Sequence, residues 1–83
     1  MITVLYFAWM RERIDQSSEE IDTNGLSTVA DLIAHLRSKG ERYEAAFADM
    51  KSVRIAVDQK MTDQAASLAG VREVAFFPPM TGG

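Results

Sequence analysis

Apolar residues fill both alternating sets of positions at the start of the chain. Ile2, Val4, Tyr6 and Ala8 fall on one parity, and Thr3, Leu5, Phe7 and Trp9 on the other. The pattern predicts a first strand over 2–9, covered on both faces or set against a partner on one of them. Met10-Arg11-Glu12-Arg13-Ile14 reads as a charged step out of that strand, with room for one helical turn. Residues 17–23 form a short second strand with Ile21 as its one strong apolar position, and Asn24-Gly25 marks a turn. The main helix follows. Thr28 is its N-cap, with Asp31 three residues on as an acidic capping box. Val29, Leu32, Ile33 and Leu36 keep the spacing of one buried helical face, and Gly40 is placed just past its end. Residues 41–47 suggest a second short helix with Tyr43, Ala46 and Phe47 inward. Residues 53–57 alternate as a third strand, Asp58-Gln59 turn, and residues 60–62 return. Residues 63–70 read as a loop with Leu68 plugging the core, and residues 72–77 as the last strand.

About five strands and one main helix make an α+β domain, with the helix packed on one face of a mixed sheet. The first and last strands are apolar on both faces, so one face has no predicted cover. An uncovered apolar face beside a flexible tail reads as a docking surface.

The last strand stops abruptly. Val74, Ala75, Phe76 and Phe77 are followed by Pro78, Pro79, Met80, Thr81, Gly82 and Gly83. Prolines donate no backbone hydrogen bond, so ladder pairing ends at Phe77. The six residues beyond it reach ~20 Å when extended. This divides the chain into a folded domain, 1–77, and a flexible Gly-Gly tail, 78–83. A frayed end is one reading of such a tail. The other is that the carboxylate of Gly83 is the working group. Glycines thread a narrow channel without side chains, and a stiff Pro-Pro base aims them and lowers the entropy lost on insertion. Phe-Phe-Pro-Pro ahead of Gly-Gly is a more specific signal than Gly-Gly alone and favours the second reading.

Composition removes most other chemistry. The 83 residues contain no cysteine and one histidine, His35, so neither a thiolate zinc site nor a Cys-His pair can be built. Asp15, Glu19 and Glu20 read as solvated loop charges. Net charge is −3, and no basic stripe interleaved with aromatics points to nucleic acid. No phosphate-binding glycine loop, signal peptide or bilayer-length apolar run occurs, so a cytoplasmic, non-membrane protein is expected. A chain without catalytic machinery but with a presented carboxylate suggests a carried group. Once joined to AMP by another enzyme, the carboxylate becomes an acyl electrophile, and a sulfur nucleophile can displace AMP to leave a thiocarboxylate.

Val4-Leu5-Tyr6-Phe7-Ala8 followed by Arg11-Glu12, and Glu73-Val74-Ala75-Phe76-Phe77-Pro78-Pro79 with Thr81-Gly82-Gly83, resemble the small-subunit family of molybdopterin synthases. These are ubiquitin-like sulfur carriers with a β-grasp fold. The similarity spans nearly the whole chain, and its second half is highly specific. It departs at Ala69-Gly70-Val71-Arg72, where the family often has an Asp-Gly-Asp-type turn. The resemblance implies a subunit that is not catalytic alone and binds no cofactor. A ubiquitin-activating-type enzyme would use ATP to adenylate Gly83 before sulfuration. The tail residues Pro78, Pro79, Met80, Thr81 and Gly82 would then thread into a larger catalytic subunit, where sulfur passes to cyclic pyranopterin monophosphate. Phe7, Arg11, Met61 and Phe77 would lie at that partner interface. A thiamine-type sulfur carrier and a ubiquitin-like protein modifier are the alternatives; the Phe-Phe-Pro-Pro lead argues against the first.

Overall fold

Five strands form one mixed sheet in the order β2-β1-β5-β3-β4. They are β1 (Ile2–Tyr6), β2 (Ser18–Ile21), β3 (Arg54–Val57), β4 (Lys60–Thr62) and β5 (Glu73–Phe77). The computed structural model describes residues 1–79. Strand β5 is central. It runs parallel to β1, with Val4 opposite Val74 and Tyr6 opposite Phe76, and antiparallel to β3, with Ile55 opposite Phe76. Three helices, α1 (Ala8–Ile14), α2 (Val29–Arg37) and α3 (Glu41–Ala46), contribute to a single core against the inner face. This is the β-grasp arrangement.

Strand parity sets the two faces. Ile2, Val4, Tyr6, Ile55, Val74 and Phe76 point inward and are buried with Leu32, Leu36 and Phe47. Phe76 is the hub: its ring stacks on Tyr6 at 6.2 Å and meets Phe47 edge-on at 5.0 Å. Leu68 is buried in the same core, as its position in a polar loop suggested.

Helix α2 begins as its sequence specifies. Asp31 N–H donates to Thr28 Oγ1 and Thr28 N–H donates to Asp31 Oδ2, a reciprocal capping box. The turn between β3 and β4 is also as expected. Asp58 and Gln59 both have positive φ, 47° and 71°, as a two-residue hairpin turn of primed type demands.

Three expectations are corrected. The first strand ends at Tyr6, not Trp9, and the charged step after it is a full helix, α1. Its Met10 and Ile14 are buried, and Trp9 packs partly against the core. Gly40 does not close α2; Ser38 is the C-cap there, and Gly40 starts α3 in an extended conformation. Glu19 is not a solvated loop charge. Its side chain is only 10% exposed.

Glu19 on β2 ties together β1, α3 and the turn between α2 and α3. Its Oε2 accepts hydrogen bonds from the hydroxyls of Tyr6 and Tyr43, each at 2.8 Å, and Lys39 Nζ donates to its Oε1 at 2.5 Å. Gln16 Nε2 donates to the Tyr43 hydroxyl at 2.9 Å, closing the network. Burial pushes the Glu19 carboxyl up, but hydrogen bonds from Lys39, Tyr6 and Tyr43 outweigh it and hold the group below its ordinary range. Burial and the same carboxylate drive the Tyr6 phenol far up.

A depressed carboxylate contributes stability that is complete above its unfolded value and is lost as pH falls through its folded value. Replacing Glu19 with Gln is therefore expected to cost about 1–3 kcal/mol at neutral pH, through imperfectly paired buried hydroxyls. That deficit shrinks on acidification. Urea unfolding of both proteins between about pH 7 and pH 3 measures it; a deficit independent of pH contradicts the linkage.

Candidate functional site

The sheet's outer face carries no helix, and its rows can be read across the strands. Odd positions of β1 and β5 point outward there. One row runs Ser18, Leu5, Ala75, Ala56, Met61. Its centre is small or aliphatic, and it ends on Met61, which is 65% exposed. The next row toward the chain's exit contains Phe77 opposite Arg54.

Phe7 sits beside that row because the backbone turns sharply there. It is the last extended residue before α1, with φ −122° and ψ 155°, and its N–H donates to Phe76 O at 3.1 Å. The next residue, Ala8, is left-handed at φ 54°, which a residue with a Cβ adopts at some cost. That kink ends β1 while leaving the Phe7 ring 46% exposed rather than folded under the helix. Phe7, Ala75, Phe77 and Pro78 line one shallow apolar depression of about 410 Å³. Almost nothing polar meets it.

The sequence-predicted interface residues are thus placed unequally. Phe7 and Phe77 share the depression. Met61 is on the same face but two strands away from β5, roughly 10 Å. The Ala75–Ala56 row joins it to the depression. Arg11 lies in α1, one turn past Phe7, and is exposed with no carboxylate in ion-pair range among the described residues. Pro78 and Pro79 are half-buried and follow the strand end at Phe77, where ladder pairing was expected to stop. Met80, Thr81, Gly82 and Gly83 lie outside the described residues.

Sequence reasoning did not single out Leu5, Ala56 and Ala75 as the floor joining these residues. The signal for Ala75 and Ala56 was parity: Ala75 sits between the core residues Val74 and Phe76, Ala56 between the core residue Ile55 and Val57, which packs against the core, and each faces outward where a small side chain keeps the surface flat. Among the described residues, no group of three or more His, Asp or Glu comes together to hold a metal ion. No helix among the described residues is long and apolar enough to cross a membrane.

The ThiS family profile matches residues 4–83. The chain belongs to the ThiS family. A family relative, the molybdopterin synthase sulfur carrier subunit of Escherichia coli (strain K12), is 37% identical over 83 residues, covering 100% of both chains. Among solved structures, a putative molybdopterin converting factor, subunit 1, from Pyrococcus furiosus superposes with a TM-score of 0.73 at 26% identity, covering 95% of this chain and 97% of that one. The crystal structure of SAMP1 from Haloferax volcanii gives a TM-score of 0.75 at 20% identity over 99% and 98% of the two chains, a likeness of fold.

Proposed function

We propose that this chain is the sulfur carrier subunit of a molybdopterin synthase and serves molybdenum cofactor biosynthesis. The observation that carries the reading is the end-to-end match to a sulfur carrier subunit, with Phe-Phe-Pro-Pro leaving the central strand beside an apolar depression and Gly82-Gly83 following it in sequence. The folded domain is residues 1–77, and residues 78–83 are the presented tail. Gly83 supplies the carboxylate. A ubiquitin-activating-type enzyme spends ATP to form the acyl-adenylate, and a sulfur nucleophile displaces AMP to give the thiocarboxylate. The chain binds no cofactor of its own.

The loaded tail then enters a larger catalytic subunit. Pro78 and Pro79 stiffen its base, Met80, Thr81 and Gly82 thread the channel, and sulfur passes to cyclic pyranopterin monophosphate. Phe7, Phe77 and Met61 form the apolar contact, with Arg11 at its edge. Flat, exposed apolar surface is what a stable subunit interface needs and what a free monomer rarely keeps.

Mass spectrometry of the native protein isolated from its own cells tests this. The expected result is a fraction of molecules heavier by the exchange of one oxygen for sulfur, mapped to the peptide ending in Gly83. Isopeptide conjugates on lysines of other proteins, without that exchange, would identify a modifier instead.

A further inference from the structure

The outer face is charged at its two ends, with opposite signs. At the end where the tail departs, Arg54 stands opposite Phe77 and is exposed. Its Nη1 donates to the Lys51 carbonyl at 3.1 Å, and no carboxylate among the described residues is in ion-pair range of it. Asp63, just past β4, uses its Oδ1 to accept from Ala65 N–H at 2.9 Å and forms no ion pair with Arg54. At the other end, Thr3 lies between Glu20 on β2 and Glu73 on β5. Neither glutamate has a cation in ion-pair range among the described residues. Leu5, Ala75 and Ala56 separate the two ends.

Glu73 and Phe77 are four residues apart on one strand, so the two ends stand roughly 13 Å apart. That exceeds the screening length of about 8 Å at physiological ionic strength, so the opposite charges do not cancel. A docked partner meets them as separate poles.

An apolar strip alone does not fix orientation, because hydrophobic contact is non-directional. A carrier whose tail must enter one channel needs orientation as well as affinity. We propose that Arg54 at one end of the sheet's outer face and Glu20 with Glu73 at the other set the rotational register of the docked catalytic subunit. The partner this fits has an apolar patch with a carboxylate above Arg54 and a lysine or arginine above the Glu20–Glu73 end. A partner turned half around would place like charges together, which electrostatic complementarity penalises. The inference rests on the docking reading given above.

Calorimetric titration against the purified catalytic subunit of the same organism tests it, using Arg54→Glu, Glu73→Lys and the double variant. Each single reversal is expected to weaken binding about tenfold at about 50 mM salt, with the loss shrinking near 300 mM. The double variant decides between net charge and orientation. Arg54→Glu removes two charges and Glu73→Lys restores two, so the net charge of −3 is unchanged. If orientation matters, the double variant binds more weakly than either single. Native affinity in the double variant, or in both singles, overturns the proposal. Thermal melting checks each fold; a variant that melts early is replaced by Arg54→Gln or Glu20→Lys, with the same readings. Phe77→Arg separates the two layers of the argument. If it abolishes binding while the charge variants do nothing, the register idea fails and the docking reading stands. If it binds like the native chain, the docking reading itself fails.

Discussion

Deleting Gly82 and Gly83 is expected to abolish sulfur transfer while leaving the folded body at its native stability. The core cluster runs from Ile2 to Phe76, and every residue in it lies before the prolines. No described hydrogen bond of the ladder uses a residue past Phe77. The truncated chain should therefore unfold in urea at the native midpoint. It should also still bind the catalytic subunit through Phe7, Phe77 and Met61, losing only what the tail adds. Its terminal carboxylate, now on Thr81, stands two residues short of where Gly83 would present it for the proposed adenylation and sulfuration. Residual molybdopterin formation in a reconstituted assay with the truncated chain would show that the sulfur travels by another route. A large drop in unfolding midpoint would show that the tail is part of the body.

The second large effect sets two neighbouring rings against each other. Phe76 is fully buried between Tyr6 and Phe47. Phe76→Ala removes that ring and leaves a cavity, a change that costs about 3–5 kcal/mol. A domain of this size has on the order of 5–10 kcal/mol to lose, so the variant is expected to be largely destabilised. Phe77 points the other way, onto the outer face. Phe77→Arg should shift the urea midpoint little, because its side chain can extend into water. It should nonetheless lose more than about tenfold in affinity for the catalytic subunit, as a central aromatic anchor does. Equal effects of the two substitutions on stability would mean that the assignment of faces is wrong.

The same alternation that separates Phe76 from Phe77 made much of this molecule legible from sequence. The inner and outer sets of β1 and β5, the cap and buried stripe of α2, the positive-φ hairpin turn and the inward Leu68 all follow from local rules. Those rules act over two to four residues, and nothing distant overrides them. Helix α1 was not legible, because Ala8, Trp9 and Met10 prolong an apolar run that a strand would also use. What divides them is a left-handed Ala8, and no side-chain cap announces it. Glu19 was misread for a different reason. Its partners are 13, 20 and 24 residues away, and only the completed sheet and the α2–α3 corner bring them together. Phe7 and Phe77 could be found by parity. Met61 entered only through family resemblance, since a methionine in a three-residue exposed strand has no pattern of its own.

The placement of β5 between β1 and β3 also governs how the molecule bears load. A partner that draws the tail into its channel pulls along β5, and the strand is held by a ladder on each side. Force in that direction loads both sets of hydrogen bonds together, in shear, rather than peeling them off one at a time as it would on an outer strand. Asp58 adds a clasp at the far end: its Oδ1 accepts from the N–H groups of Arg72 and Glu73 at 3.1 and 3.0 Å. The domain can thus be towed by its last residues without being unravelled.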